Sequence, residues 1–98
     1  MKFVLIAHDK PGAQALRQQT RPAHLAYWQA IIGAELVFGG PLLGADGAPF
    51  GSILVVETED EAHARALFEA DPYVTADLFE LTTLSPFRLV FERGALVA

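Results

Sequence analysis

The run Lys2 to His8 (KFVLIAH) is rich in β-branched and aromatic residues and stops before the breaker pair Pro11-Gly12, so it reads as a strand. Phe3, Leu5 and Ala7 fall on one face and Val4 and Ile6 on the other, which makes both faces apolar. A helical region follows, with a short turn over Ala13 to Gln19 and a main helix predicted from Pro22 to about Ile32, ended by Gly33. Proline suits the first helical position, where its missing N–H has no partner to lose. Leu25, Trp28 and Ile32 recur at helical spacing and are expected to face a sheet. Glu35 to Gly39 (ELVFG) reads as a second strand that runs into Gly40-Pro41-Leu42-Leu43, and Ser52 to Glu57 (SILVVE) as a third. The connection Gly44 to Gly51 (GADGAPFG) carries the turn signal Asp46-Gly47, which predicts a hairpin with a longer loop. Thr58-Glu59-Asp60-Glu61 fits a capping box, the Thr58 hydroxyl and the Glu61 carboxylate each satisfying a free N–H of the first turn. The helix it opens is predicted to reach about Ala70 and to bury Ala62, Ala66 and Leu67. Asp71-Pro72 interrupts it, a short helical piece is expected through Leu78, and a last strand lies within Glu80 to Glu92, most clearly Phe87 to Phe91.

The order is β-α-β-β-α-β, for which the leading topology is a ferredoxin-like α+β sandwich, an antiparallel sheet with both helices on one face. Two short helices cover only one face, so Val4, Ile6 and their neighbours would meet water on the other. At about 25 cal/mol per Å² of apolar surface, several such side chains cost roughly several kcal/mol, which a second copy packed sheet to sheet would remove. A homodimer through that face is the expectation.

Composition narrows the function classes. The 98 residues make one domain, spanning 1–98, and 52% hydrophobic against 19% charged residues is too apolar for a disordered chain. No uninterrupted apolar run is long enough to span a bilayer, and nothing near the start marks the chain for export, so a cytoplasmic protein without a membrane partner is expected. The absence of cysteine removes thiol nucleophiles and thiolate metal sites, which leaves oxygen and imidazole for any chemistry. A net charge of -5, with seven Lys and Arg in no long run, argues against nucleic acid.

In the ferredoxin-like topology one rim of the sheet receives His8 and Asp9, Arg21 and His24, Gly40 and Pro41, Gly51 and Ser52, then Asp71, Pro72 and Tyr73, and so most of the unusual polar residues. His24, placed in the first turn of a helix, has an ordinary use as a residue bonded to a neighbouring loop. With Asp71 as a partner that fixes its tautomer, it also suits a general acid or base. Asp71 before Pro72 fits a helix cap as well, and one carboxylate can do both jobs. Arg21 is placed to neutralise an acidic group or to pair with Asp71. Ser52 lacks the setting of a nucleophile and is assigned a hydrogen bond to ligand, and Tyr73 is assigned to the wall. His8, His24 and His63 show no metal-ligand spacing, so neither a metal nor an organic cofactor is expected.

The motifs RPAHL at 21–25, GGPLL at 39–43, GS at 51–52, ADPYV at 70–74 and SPFRLVF at 85–91, in that order along nearly the whole chain, resemble the YciI-like (YCII-related) family. The resemblance implies a ferredoxin-like chain that dimerises into an α+β barrel, similar to small catabolic enzymes of the muconolactone isomerase type. It also implies a His-Asp pair at the active site, which falls on His24 and Asp71, with Arg21 in the same motif. The loop GADGAPFG sits where relatives vary, so the substrate does not follow from the resemblance.

Two readings result. One is a cofactor-independent enzyme that moves a proton through His24 and Asp71, an isomerase or lyase acting on a small cyclic or carbonyl-bearing metabolite, with Arg21 and Ser52 holding an anionic or carbonyl oxygen and Tyr73 among the substrate-binding residues. The other is a non-catalytic dimer that binds a small ligand or serves as an accessory module.

Overall fold

Alternation along the first strand sets the layers. In the computed structural model, which describes residues 1–31 and 35–98, Phe3, Leu5 and Ala7 are buried while Ile6 and His8 are exposed. This strand, β1 (Lys2–Asp9), is followed by α1 (Gln14–Ile31), β2 (Leu36–Leu43), β3 (Pro49–Glu57), α2 (Glu61–Glu69), α3 (Pro72–Thr75) and β4 (Phe79–Phe87). A small hairpin, β5 (Phe91–Glu92) and β6 (Ala95–Leu96), closes the described order. The main sheet runs β2-β3-β1-β4 with every neighbouring pair antiparallel, which is the ferredoxin-like α+β arrangement expected from the element order. The register places Phe3, Leu5 and Ala7 beside Val56, Leu54 and Ser52 on the helix-covered face. Trp28 of α1, with Ala64 and Phe68 of α2, packs into the same core. No described helix is long and apolar enough to cross a membrane.

The first helix differs from its prediction. It is a single helix from Gln14 to Ile31 with Pro22 inside it, not a turn followed by a helix that begins at Pro22. Proline cannot donate to the carbonyl four residues back, here Gln18, and normally marks a boundary. Side-chain bonds on both sides of it hold the helix together: Arg17 before it reaches Asp9 and Ser52, and His24, Tyr27 and Trp28 after it reach Asp71 and the Leu67 carbonyl. The residues ahead of Pro22, Gln14 to Gln19, are mostly good helix formers, so local propensity agrees with this result. His24 therefore lies in the middle of α1, away from the positive end of that helix. Ile32 and Gly33, the predicted end of the helix, lie outside the described residues.

Three further corrections concern α2 and the last strand. Asp60, not Thr58, caps α2 by accepting from the His63 N–H at 2.8 Å, while the Thr58 hydroxyl donates to the Asp60 carbonyl and Glu61 pairs with Arg65. The buried face of α2 is Ala64 and Phe68, with Leu67 half-buried and Ala62 and Ala66 exposed; the aromatic side chain sets the phase of the stripe, and alanines carry little signal. The last sheet strand is Phe79–Phe87 rather than Phe87 to Phe91. As an edge strand it is only partly covered, so it reads as polar (ELTTLSP) and tolerates Pro86. The more apolar Phe87 to Phe91 instead leads into the small hairpin, whose turn residues Arg93 and Gly94 both have positive φ.

Candidate active site

Asp71 ends the connection after α2 and caps α3, its side chain accepting from the Tyr73 N–H at 2.9 Å, with Pro72 opening the short helix as expected. The same carboxylate is almost fully buried and takes two further bonds from α1. His24 Nδ1 lies 2.9 Å from each Asp71 oxygen, and the Trp28 indole N–H reaches Oδ2 at 2.8 Å. An ionised carboxylate only accepts, so Nδ1 carries the proton and Nε2 is left on the far edge of the ring with a free lone pair when the imidazole is neutral. The His24 ring stacks on Tyr73 with centroids 3.9 Å apart and planes within 19°, which fixes its orientation from a second direction.

A second polar group stands two helical turns earlier on α1. Arg17 is buried and makes a two-pronged bond to Asp9 at the end of β1, Nε to Oδ2 at 2.7 Å and Nη2 to Oδ1 at 2.9 Å. Its Nη2 also donates to the Ser52 hydroxyl of β3 at 2.8 Å. Burial acts to lower the Arg17 pKa, but the hydrogen bonds and charge of Asp9, with those of Tyr73, outweigh it and the net shift is upward. The guanidinium carbon lies 4.7 Å from the Tyr73 ring centroid, so Tyr73 touches both groups. Burial pushes the Tyr73 phenol pKa up, with the Arg17 and Arg21 charges opposing it and Asp71 adding to it.

Both groups open onto one cavity of about 440 Å³ between α1 and the β2–β3 side of the sheet. Its walls are mainly apolar, from Leu25, Leu36, Pro41 and Leu54, and its polar groups include Arg17, Arg21, His24 and Ser52. That size and lining suit one small, largely apolar ligand. Gly39 belongs to this wall because a Cβ there would collide with the Leu54 side chain and the Ile53 carbonyl.

The structure thus brings His24, Tyr73, Ser52 and Arg21 around one space, with Asp71 behind His24. Arg21 is exposed, lines the cavity and makes no ion pair among the described residues, so its expected pairing with Asp71 is not formed. His8 is not part of the site: it lies on the opposite sheet face against Phe50, with ring centroids 5.7 Å apart. His63 pairs with Glu35 at 3.2 Å away from the cavity. Sequence reasoning missed Arg17, and it placed Asp9 on the rim without a partner. A continuous helix would have put positions 17, 21 and 24 on one face, and the break assumed at Pro22 hid that spacing. It also read Trp28 as packing alone, although a buried indole N–H must find an acceptor. Among the described residues no three His, Asp or Glu side chains converge as metal ligands do.

A ferredoxin-like chain with a histidine in the wall of an apolar cavity and a buried carboxylate behind it belongs to the class of small α+β proteins. Within that class the chain belongs to the YCII-related domain family, whose pattern matches residues 1–88. Protein YciI of Escherichia coli O6:H1 is 37% identical over 98 residues, covering 93% of this chain and 100% of that one, and protein YciI of Shigella flexneri matches equally. Among solved structures, 5-chloro-2-hydroxyhydroquinone dehydrochlorinase (TftG) from Burkholderia phenoliruptrix AC1100, in complex with 2,5-dihydroxybenzoquinone, is similar with a TM-score of 0.83 and 33% identity, covering 90% of this chain and 94% of that one. SnoaB, a cofactor-independent oxygenase from Streptomyces nogalater, shares the fold with a TM-score of 0.54 at 18% identity, over 90% of this chain and 92% of that one.

Proposed function

We propose that this protein is a small enzyme that moves a proton on a cyclic, oxygen-bearing metabolite, with His24 as the acid or base and Asp71 as the group that orients it. The observation that carries the reading is the His24 ring itself, bonded to Asp71 through Nδ1, stacked on Tyr73 and lining the cavity with its other edge free. Elimination fits this equipment: in a keto tautomer, where the carbon bearing the leaving group also carries hydrogen and is tetrahedral, Nε2 takes a proton from a neighbouring carbon or a conjugated hydroxyl, the electron pair left behind forms a new π bond, and chloride or hydroxide departs. Substrate becomes product plus HCl or, when the imidazolium returns its proton to the leaving hydroxide, product plus water. Isomerisation needs the same base and a return of the proton at another atom. The likeness to a dehydrochlorinase found with a dihydroxybenzoquinone supports the elimination arm and a hydroxylated six-membered ring as substrate.

The uncovered side of the sheet supports a homodimer. Ile6 and Phe38 are 39% and 43% exposed on the face turned away from the helices, and Phe38 meets Phe87 edge to face across it. A second copy packed sheet to sheet would cover this face, giving a homodimer with one site per subunit.

The test is turnover. Chlorinated and non-chlorinated hydroxyhydroquinones, lactones and substituted aromatic acids are offered to wild type and to His24→Ala, with chloride release and the ultraviolet spectrum as readouts. Turnover by wild type that falls at least about 1,000-fold in His24→Ala supports the reading, a loss on the scale expected for an essential base. Equal turnover by both removes His24 from the chemistry, and binding without turnover by either identifies a ligand-binding protein.

A further inference from the structure

The Arg17 group has a polarity that the geometry fixes. A guanidinium cannot accept a hydrogen bond, so in the 2.8 Å contact with Arg17 Nη2 the Ser52 oxygen is the acceptor and its own hydrogen points elsewhere. Among the described residues no protein oxygen receives that hydrogen, and Ser52, although buried, lines the cavity. The arrangement is held from behind by Asp9, whose carboxylate takes two bonds from Arg17 and leaves Nη2 no freedom to turn away.

The charge around the cavity agrees with a donor site. Asp9 matches the charge of Arg17, Arg21 makes no ion pair among the described residues, and no Asp or Glu lines the cavity. Asp71 lies behind the His24 ring, so in a chain of net charge -5 the cavity surface itself presents the Arg21 cation beside an aimed hydroxyl. Such a setting favours an oxyanion and disfavours a ligand group that must donate.

We infer that Asp9 and Arg17 are positioning residues that aim the Ser52 hydroxyl at a substrate oxygen, and that the site selects rings bearing an ionised hydroxyl or a ketone there. This rests on the proton-transfer reading and sharpens its substrate class. As His24 takes a proton from the ring, negative charge grows on the conjugated oxygen, and the Ser52 O–H and the Arg21 charge stabilise it before the leaving group departs. No other co-reactant is required, since the proton goes to His24 and the electron pair stays in the ring until chloride or hydroxide carries it off.

The test separates binding from turnover. 2,5-Dihydroxybenzoquinone is titrated calorimetrically into the purified protein and into Ser52→Ala, Arg17→Lys and the double variant, each checked for folding by circular dichroism. Ser52→Ala keeps both Arg17–Asp9 bonds and is expected to fold and to bind about 10- to 100-fold more weakly. Arg17→Lys keeps the charge but cannot hold Asp9 with two prongs and Ser52 at once, and a similar weakening is expected. The double variant should bind no more weakly than Ser52→Ala, because Arg17 acts through Ser52. Unchanged affinity in Ser52→Ala overturns the inference, additive losses overturn the positioning role, and no binding by wild type overturns the substrate class. If Arg17→Lys does not fold, Ser52→Cys replaces it and is expected between wild type and Ser52→Ala; affinity equal to wild type again overturns the inference. None of these outcomes depends on whether His24→Ala retains turnover, which tests the proton-transfer reading separately.

Discussion

Trp28 and His24, one turn apart on α1, share a single carboxylate: the indole N–H reaches Asp71 Oδ2 at 2.8 Å and the imidazole Nδ1 sits 2.9 Å from both Asp71 oxygens. The Tyr73 N–H completes the set at 2.9 Å, so the carboxylate receives bonds from two side chains and its own helix cap. Asp71→Ala leaves a buried indole N–H and a helix start without partners and is expected to cost about 3 kcal/mol. Trp28→Phe keeps the ring in the core and removes only the bond to Asp71; it should cost about 1–2 kcal/mol and lower turnover about tenfold by loosening the carboxylate. Urea unfolding and steady-state kinetics on both variants measure the two effects. A Trp28→Phe protein with wild-type turnover would show that the indole serves stability alone.

The two tyrosines make stability fall at high pH. Burial raises the pKa of Tyr27, with Asp71 and Glu35 adding to it, and burial likewise raises that of Tyr73 against the opposing arginine charges. Both groups hold their protons more tightly folded than unfolded, so their contribution is full below about pH 10, the ordinary tyrosine value. It is lost as pH rises from there through the folded values. Absorbance at 295 nm should show tyrosinate appearing above pH 10 in the native protein. Tyr27→Phe and Tyr73→Phe should each flatten the fall in urea stability over that range.

Gly39 keeps the cavity open. Gly39→Ala forces a methyl group into the Leu54 side chain and against the Ile53 carbonyl, and overpacking of this kind costs about 1–3 kcal/mol. Because Leu54 also lines the cavity, its displacement should reduce ligand affinity as well as stability. Calorimetric titration of the folded variant tests this, and affinity equal to wild type would place Gly39 outside the ligand's reach.

The uncovered sheet face predicts the oligomer. Ile6→Lys, on the central strand β1, puts a charge into that face without touching the helix-covered core. Sedimentation should show wild type as a dimer and Ile6→Lys as a folded monomer. A dimer in both would mean that another surface makes the assembly.

Pro22 makes a prediction of the opposite sign. Pro22→Ala supplies the N–H that can reach the Gln18 carbonyl and is expected to stabilise the protein by about 1–3 kcal/mol in urea unfolding. A loss of stability instead would show that the proline ring, or the shape it imposes on α1, is needed for packing.

The first three strands and the fold were legible because their signals are local. The alternation of β1, the Asp46-Gly47 turn and the Asp71-Pro72 cap each depend on neighbouring residues, and each appears where the pattern put it. The His24–Asp71 pair was legible through topology, which brings the end of α2 to the start of the site. What escaped was set by distant partners. Pro22 reads as a boundary until Arg17 on one side and His24 on the other are seen to be tied to different parts of the sheet and loops. β4 escaped because an edge strand is judged by the neighbour it pairs with, β1, more than by its own hydrophobicity. Arg17 was hidden with the helix that carries it.

The uninterrupted course of α1 through Pro22 fixes the gauge of the site. Arg17 and His24 are seven residues apart, two turns of one rod, so the two polar groups of the cavity are separated along its axis by about 10 Å. A loop could stretch or shorten such a spacing, but a helix cannot. One residue inserted between them would swing His24 about 100° around the axis and away from Asp71. Any change in the ligand would then fall to the facing wall, where Ala48 at the end of the β2–β3 connection and Pro49 at the start of β3 line the cavity. The protein holds one dimension of its ligand constant and leaves the other free to drift.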